Sequence, residues 1–289
     1  MVETSYIPKD LDEALRLRKE TGAKPIAGGT DLMVAHRRGT GVVPAFPWPV
    51  MIISQMADFK GISLEDGDIS IGAGCTCHEI EVSELVPWPV RMAASLMGAQ
   101  SLRNLATIGG NVCNASPKAD LPVPLLMLDA RLELASVSGI RQISLNDFLL
   151  GPKKTALRDD ELLMRVIIPT IEPAFTYLWY RKIGTRRANA ISKLSLSAAI
   201  TIDAEGMVTD FRSVSGAAGP RIARNRQVEE RLIGISVKDL EGRLPAFLDA
   251  YDGILSPQAM PEYRRSTTRR MLEHFLQTVV TRPAHCIIE

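Results

Sequence analysis

The order of elements in the second half of the chain is the strongest constraint on its fold. Residues 193–219 read KLSLSAAITIDAEGMVTDFRSVSGAAG, which predicts two long strands joined by a turn at DAEG. Three helical segments follow, at 226–233, 236–253 and 259–280. Strands followed by helices, rather than alternating with them, are typical of an α+β domain with segregated sheet and helices.

The first half of the chain predicts a separate mixture of short elements. A helix capped by Asp10 is expected at 8–20, and a buried strand at 50–55. The pair Asp66-Gly67 is a favoured tight turn, so 62–74 predicts a hairpin. Further predictions are helices at 78–85 and 89–98, a helix and then a strand within 121–136, and a strand at 161–169.

A proline-bearing stretch separates these two halves. The last predicted strand of the first half stops at Pro169, and Pro173 follows. We therefore expect one domain at 1–175 and an α+β domain at 176–289.

Composition excludes several classes of protein. The 289 residues are 46% hydrophobic and 23% charged with net charge +1, which gives no global signal for nucleic acid. No run of about 18 apolar residues is present, which argues against a membrane span. The polar, acidic start lacks the form of a signal peptide, and four cysteines do not indicate a disulfide framework in a chain of this length. We expect a cytoplasmic protein.

Two double-glycine segments are the candidate binding elements. AGGTDL at 27–32 and TIGGN at 107–111 each follow apolar residues. Glycine lets a ligand approach the main chain, and successive exposed N–H groups form an anion site. Thr30, Thr107, Asn111 and Ser116 would add side-chain donors, so two converging segments would suit a diphosphate. Each could equally be an ordinary turn, because neither matches a phosphate-binding fingerprint.

Three motifs in order resemble one protein family. They are KPIAGGTDL at 24–32, LRNLATIGGNVCNASPKADLP at 102–122 and YRKIGTRRANAISKLSLSAAI at 180–200. Together they resemble the FAD-binding subunit of molybdenum hydroxylases, a family that includes the medium subunit of carbon monoxide dehydrogenase and the flavin domain of xanthine dehydrogenase. The resemblance implies a vanillyl-alcohol-oxidase-type (PCMH-type) FAD-binding fold. Subdomains at about 1–57 and 58–175 would hold FAD between them, and the C-terminal α+β domain would cover the flavin end.

The resemblance also implies site residues. Gly28, Gly29, Thr30 and Asp31 would lie near the diphosphate, Asp120 near a cofactor sugar, and Leu163 and Lys182 near the flavin ring. The full implied set of cofactor-binding residues is Lys24, Pro25, Ile26, Ala27, Gly28, Gly29, Thr30, Asp31, Leu32, Leu102, Ala106, Thr107, Gly109, Gly110, Asn111, Cys113, Ala119, Asp120, Leu163 and Lys182.

Two of these residues have alternative interpretations from the sequence alone. Asp120 precedes the apolar run LPVPLLML, so it could equally be the N-cap of a helix. Lys182 could be a solvated surface lysine, because lysines are rarely buried. A buried cation at that position would instead stabilise negative charge on a flavin.

The cysteines and the basic clusters have simpler interpretations than metal or nucleic-acid binding. Cys75 and Cys77 lie in a strand-like run and are interpreted as small buried thiols on one face, not as metal ligands. The related 4-hydroxybenzoyl-CoA reductase beta subunit carries a cysteine-bearing insertion for an iron–sulfur cluster, and this chain lacks it. Basic clusters at 181–187, 221–226 and 264–270 are interpreted as solvated faces, with a partner-docking face as the alternative.

The resemblance implies an electron-transfer subunit with no catalytic acid–base pair and no metal of its own. Its partners would be a small subunit with two [2Fe–2S] clusters and a large molybdopterin subunit, as a heterotrimer or a dimer of heterotrimers. Electrons would pass through FAD to NAD or another acceptor, or in reverse. The alternatives are a stand-alone FAD-dependent oxidase or dehydrogenase of the same fold, which needs a substrate base over the flavin, and a binding module without flavin.

Overall fold

The computed structural model describes residues 4–42, 44–186, 189–281 and 287–288. The elements up to residue 175 are β1 (Ser5–Tyr6), α1 (Leu11–Thr21), β2 (Lys24–Ile26), α2 (Leu32–Ala35), β3 (Val50–Ile52), β4 (Ile62–Glu65), β5 (Asp68–Gly72), α3 (Cys77–Val82), α4 (Trp88–Ser95), α5 (Gln100–Arg103), α6 (Ile108–Cys113), α7 (Pro122–Met127), β6 (Arg131–Ser136), β7 (Gly139–Ser144), α8 (Leu145–Phe148), β8 (Leu149–Gly151), β9 (Lys154–Thr155) and β10 (Leu162–Ile168). The later elements are β11 (Tyr177–Ile183), β12 (Leu194–Ile202), β13 (Val208–Gly216), α9 (Arg226–Glu229), α10 (Leu240–Asp252), α11 (Pro261–Thr281) and β14 (Ile287–Ile288).

The first part of the chain builds two sheets of different kinds. A small parallel sheet has the order β1-β3-β2, and a five-stranded antiparallel sheet has the order β4-β5-β10-β6-β7. The Asp66-Gly67 turn joins β4 to β5 as predicted, with Asp66 and Gly67 both at positive φ. Helix α1 begins at the predicted cap, where the Asp10 carboxylate accepts the Glu13 amide at 2.8 Å.

The C-terminal sheet separates two hydrophobic cores. Its order is β13-β12-β11-β14, and the two long strands predicted at 193–219 pair antiparallel around the turn. Because side chains alternate along a strand, Leu196 and Ala198 pack beneath α10 and α11, while Ala199 faces the first core. The predicted α+β arrangement of this region is confirmed.

Helix α7 packs on the other face of this sheet, against β12 and β13. It directly follows residues 106–120 and so places them beside the sheet. All six of its residues are buried. A Cβ on Gly216 of β13 would fall 2.6 Å from Val123 Cγ2, so the strand backbone itself forms the packing surface. No helix in the described ranges is long and apolar enough to cross a membrane.

Candidate functional site

The two glycine segments are in direct backbone contact. A Cβ placed on Gly28 would fall 1.8 Å from the carbonyl oxygen of Leu105, immediately before the second segment. Only glycine permits this approach, since no L-side chain can be accommodated there. The two segments therefore converge, which is the condition for a diphosphate site that spans both.

The first segment presents main-chain donors without acceptors. Among the described residues, no acceptor takes the amide hydrogens of Gly28, Gly29, Thr30 or Asp31. Gly29 has φ +67°, in the left-handed region that favours glycine. The Thr30 hydroxyl, half-buried, also makes no hydrogen bond within the described chain. Successive free N–H groups of this kind form a concave anion site.

The second segment is a helix start and not the predicted turn. Thr107 is the N-cap of α6, and its hydroxyl accepts the Gly110 amide at 3.1 Å. The Ile108 and Gly109 amides donate to Cys75 and Ala73 carbonyls at 3.0 and 2.8 Å. These bonds pair the segment with residues 73–77, which explains why it continues into a helix instead of forming a free loop.

The two glycines of the second segment have different environments. Gly109 is buried, and a Cβ there would lie 2.7 Å from both Cβ and O of Ala73. Gly110 is exposed, and its Cβ would meet only the Thr107 hydroxyl at 3.0 Å. Next to it, Asn111 Oδ1 is buried without a hydrogen-bond partner among the described residues. A buried polar atom is normally satisfied, so Asn111 marks where an external donor would fit.

Asp120 and Lys182 form a buried ion pair between the two parts of the chain. Lys182 Nζ donates to Asp120 Oδ2 at 2.6 Å, and the side chains are only 7% and 9% exposed. Ser192 Oγ donates to the other carboxylate oxygen at 2.6 Å. Burial raises the pKa of the Asp120 carboxyl, whereas the charge and hydrogen bonds of Lys182 and the Ser192 hydroxyl oppose that rise.

Both alternative interpretations of this pair are wrong. Asp120 does not cap α7, because the N-cap position is Leu121 and no side chain caps the helix there. Lys182 is not a solvated lysine, since it lies in the buried pair and also donates to the Leu96 carbonyl at 3.0 Å. Leu96 is the C-cap of α4, whose carbonyls carry partial negative charge. Both contacts fix the position of the Lys182 side chain.

A lysine that the sequence did not single out bridges the two segments. Lys153 Nζ lies 3.3 Å from Asp31 Oδ2 and also donates to Asn114 Oδ1, just after α6. Its backbone at φ +60° forms the tip of the β8–β9 hairpin. Lys153 lies in none of the three motifs, and Ser192 lies in the third motif without an assigned role, so only the fold reveals their contacts.

Most of the remaining predicted residues lie in or next to the strands and helices that surround the two glycine segments. Pro25 and Ile26 lie in β2, Ala27 precedes the free amides, and Leu32 begins α2. Leu163 is buried in β10, which packs against α6. Ala106 precedes the α6 cap, Cys113 ends α6, Ala119 is buried beside Asp120, and Leu102 lies partly exposed in α5. Lys24 Nζ instead lies 3.8 Å from the Trp48 ring centroid, which gives it a cation–π contact.

The thiols are buried as predicted, although their local structure differs. Cys77 is the first residue of α3 and not part of a strand, because Thr76 and Glu79 form a capping box at that point. Burial raises the pKa of the Cys77 thiol to about 12, so it stays neutral. In the described ranges, no group of three His, Cys, Asp or Glu side chains could hold a metal ion.

The basic clusters are solvated faces only in part: Arg181, Arg186, Arg221, Arg226 and Arg270 are exposed, and other arginines are not. Arg264 is buried and donates to the Ala217 carbonyl, and Arg265 donates to the Asp252 and Leu255 carbonyls at 2.6 Å. Arg224 is buried against Glu229. These arginines hold elements of the chain together; Arg187 of the first cluster lies outside the described residues.

Family comparisons assign both parts of the chain. The model described as "FAD binding domain in molybdopterin dehydrogenase" matches residues 2–171. The model described as "CO dehydrogenase flavoprotein C-terminal domain" matches residues 179–279. The first match covers more than half of the chain.

Curated relatives and solved structures agree with these matches. The nicotinate dehydrogenase FAD-subunit of Eubacterium barkeri is 33% identical over 86% of each chain. The xanthine dehydrogenase FAD-binding subunit of Escherichia coli O157:H7 is 32% identical over 72% of this chain and 71% of the relative. A chain of reconstituted CO dehydrogenase from Oligotropha carboxidovorans shares the fold, with TM-score 0.85 at 22% identity over 97% of this chain and 98% of that one. The predicted fold and resemblance are confirmed, and the chain belongs to the FAD-binding flavoprotein subunits of the molybdopterin dehydrogenase family of oxidoreductases.

Proposed function

We propose that this chain binds one FAD non-covalently and passes electrons between [2Fe–2S] clusters of a partner subunit and NAD or another acceptor. The observation that carries the proposal is the contact between the two glycine segments, where four consecutive amides of the first segment have no acceptor among the described residues. A doubly charged diphosphate matches such a set of donors.

The residues at this contact fit the cofactor. The amides of residues 28–31 and the Thr30 hydroxyl would hold the diphosphate. The unpartnered Asn111 Oδ1 would accept a hydrogen bond from a hydroxyl group of the cofactor's sugar chain. Gly110 is exposed and open to a ligand, whereas Gly109 supports the segment from the core.

The Asp120–Lys182 pair fits the flavin end of the cofactor. FAD, when bound, supplies the chemistry of hydride and single-electron transfer. Lys182 would place its positive charge beside the ring, where it favours negative charge on the flavin. Asp120 and the Leu96 carbonyl would hold that ammonium, and Leu163 would provide an apolar contact. The remaining predicted cofactor residues belong to the same proposal.

The proposal extends to partners, domains and location. A small iron–sulfur subunit and a large molybdopterin subunit would complete a heterotrimer or a dimer of heterotrimers, and substrate chemistry would take place on the large subunit. The division at residue 175, with FAD-binding subdomains meeting near residue 57, is part of this proposal. Free thiols at Cys75 and Cys77 suit the reducing cytoplasm.

A reconstitution experiment tests cofactor binding directly. The full chain, stripped of flavin, is titrated with FAD while flavin fluorescence and visible absorption are followed, and bound flavin is then released by heat. Saturable binding of one FAD, released intact, is the expected result. Failure of the folded chain to bind FAD, alone or with its co-purified partners, would contradict the proposal.

The role of Lys182 needs a matched control. Lys182→Met should lower the midpoint potential of bound FAD because it removes the cation. Lys154→Met removes an exposed lysine in β9 and should leave the potential unchanged. Equal potentials in all three proteins would refute the placement of Lys182.

Two further experiments test the partners and the acceptor. Purification of the native complex, followed by iron and molybdenum analysis, tests for the partner subunits. Reduction of the bound flavin by NADH tests whether NAD is the acceptor.

A further inference from the structure

Helix α7 is held at both ends by the C-terminal part of the chain. At its start, Asp120 binds Lys182 of β11 and Ser192. At its end, the carbonyls of Leu126 and Met127 and the Asp129 carboxylate bind arginines from β13 and the segment before α9. We call the second set of contacts the arginine clamp.

Two guanidinium groups of the arginine clamp bind the end of the helix, and a third, that of Arg226, lies 3.7 Å from Asp129 Oδ2. Arg212 donates to the Met127 carbonyl at 3.2 Å and to Asp129 Oδ2 at 2.9 Å. Arg224 donates to the Leu126 carbonyl and, at 2.6 Å, to Asp129 Oδ1. Cations at a helix C-terminus satisfy its free carbonyls and its partial negative charge.

Neighbouring groups fix the positions of Arg224 and Asp129 in the clamp. The Arg224 side chain is 8% exposed and pairs with Glu229, 1% exposed, at 3.1 Å. Glu229 also accepts the Ser213 amide at 2.8 Å, so its place is set by β13. Asp129 has φ +55°, a left-handed conformation that is uncommon for residues other than glycine and orients its carboxylate toward both arginines.

Helix α7 transmits position from the clamp to Asp120 because it is packed along its whole length. Its six residues are buried, and Val123 lies against the bare backbone of Gly216. Close-packed interiors have low compressibility and transmit strain. A displacement at Asp129 therefore reaches Asp120, nine residues earlier, through α7 and the strands that it packs against.

Two mostly buried arginines, Arg212 at 11% and Arg224 at 8% exposure, converge on Asp129, whose side chain is 44% exposed, and stability alone does not account for this convergence. Apolar residues of similar volume often stabilise a buried interface as well as an ion pair does, whereas charged pairs specify one arrangement of the groups that they join. We propose that Arg212 and Arg224 are positioning residues. By fixing the end of α7 they set Asp120 and, through it, the Lys182 ammonium at the flavin. This inference rests on the proposed function of the Asp120–Lys182 pair.

The test compares two ion pairs that differ in their connection to α7. Arg224→Met and Arg212→Met remove the clamp. Arg141→Met removes a bidentate pair with Glu161, which is also buried at 3% exposure but joins β7 to the loop before β10. Urea unfolding, the FAD dissociation constant and the flavin midpoint potential are measured on the full chain for each variant.

A positioning role predicts a specific result. Removing the clamp should weaken the affinity for reduced FAD by about 2- to 30-fold more than that for oxidised FAD, the range typical of coupled sites, and so lower the potential. Arg141→Met should lose stability and leave the potential at the wild-type value. Arg224→Lys, which keeps the cation, should recover part of the shift.

Several outcomes would overturn the inference. It fails if Lys182→Met shifts the potential and the clamp variants do not, or if Arg141→Met shifts it equally. If the arginine variants do not fold, the isosteric Asp129→Asn provides the same comparison, and an unchanged potential there also overturns it. Failure of the proposed function looks different, because the wild-type chain would then not bind FAD or Lys182→Met would leave the potential unchanged.

Discussion

The two Gly-Gly segments share a dipeptide and use it in opposite ways. In residues 27–31 the chain leaves four amides without acceptors among the described residues and places Gly29 at positive φ. In residues 106–111 the fold itself takes the amides of Ile108, Gly109 and Gly110. The first segment leaves its amides for a ligand, whereas the fold takes those of the second segment.

The difference shows that glycine spacing alone does not define a phosphate site. Position 109 has no room for a side chain because Ala73 lies beside it, and position 28 has none because the Leu105 carbonyl lies there. One glycine joins a segment to the core and the other joins the two segments to each other. The cofactor benefits from both, although neither space is itself a place for the cofactor.

The largest effect is expected at Gly109. Gly109→Ala forces a Cβ to within 2.7 Å of Ala73, and overpacking of this kind costs about 1–3 kcal/mol of unfolding free energy. Gly110→Ala, one residue later and exposed, should cost less than about 1 kcal/mol. Urea unfolding of both variants measures the difference. Equal stabilities would show that the second segment is not supported from the core.

Gly28→Ala should mainly affect FAD affinity. A Cβ 1.8 Å from the Leu105 carbonyl must push the two segments apart, although this contact lies near the surface. We expect the FAD dissociation constant to rise by about 10- to 100-fold, or roughly 1.4–2.8 kcal/mol. Gly242→Ala, in α10 with nothing near its Cβ, is the matched control and should keep wild-type affinity. If Gly28→Ala bound FAD with wild-type affinity, the contact between the two segments would not be required for cofactor binding.

Local patterns in the sequence predicted the local structure well. The Asp10 cap, the Asp66-Gly67 hairpin and the strands around DAEG are confirmed because each depends on neighbouring residues. The start of α6 was wrongly predicted as a turn, since its helical geometry depends on pairing with residues 73–77. The strand β11 was not predicted either, although its neighbour β12 was.

Contacts between distant residues explain what the sequence could not give. Asp120 and Lys182 were singled out by resemblance, but their ion pair spans 62 residues and Ser192 adds a partner 72 residues away. Lys153 reaches Asp31 across 122 residues. Such pairs depend on how sheets and helices pack, and no periodicity along one chain encodes them.

A smaller effect is expected at Gly29, where the left-handed conformation is the main constraint and an added Cβ would also lie 3.2 Å from the Met33 side chain. Gly29→Ala places a side chain at φ +67°, a conformation that is roughly 1–2 kcal/mol less favourable for alanine. The free amides should then lose their orientation, and the affinity for FAD should fall. Gly29→Asn should cost less because asparagine tolerates the left-handed region. FAD titration of both variants measures this order. If alanine and asparagine weaken binding equally, the left-handed conformation is not what orients the free amides.

The smallest effect concerns the capping box behind the second segment. Burial raises the pKa of the Glu79 carboxyl, but hydrogen bonds from the Thr76 amide and hydroxyl outweigh it and hold the pKa below the ordinary 4.5. A lowered pKa means that the carboxylate stabilises the fold above pH 4.5 and loses this contribution as pH falls through the folded value. Glu79→Gln should therefore be less stable than wild type at pH 7, by about 0.5–1 kcal/mol, typical of a cap.

The pH dependence distinguishes this contribution from a general loss of packing. At low pH the difference in unfolding free energy between Glu79→Gln and wild type should shrink, because wild type then carries a protonated Glu79. Glu84→Gln removes a nearby carboxylate that makes no hydrogen bond or ion pair within the described chain, and it should match wild type at both pH values. Thr76 pairs with Thr107, the N-cap of α6, so the loss should appear mainly in stability, while the free amides of residues 28–31 stay in place and FAD affinity falls by less than in Gly29→Ala. A loss of FAD affinity equal to that of Gly29→Ala would show that the backbone of the second segment matters to the ligand as much as the free amides of the first, and would remove the contrast between the two segments.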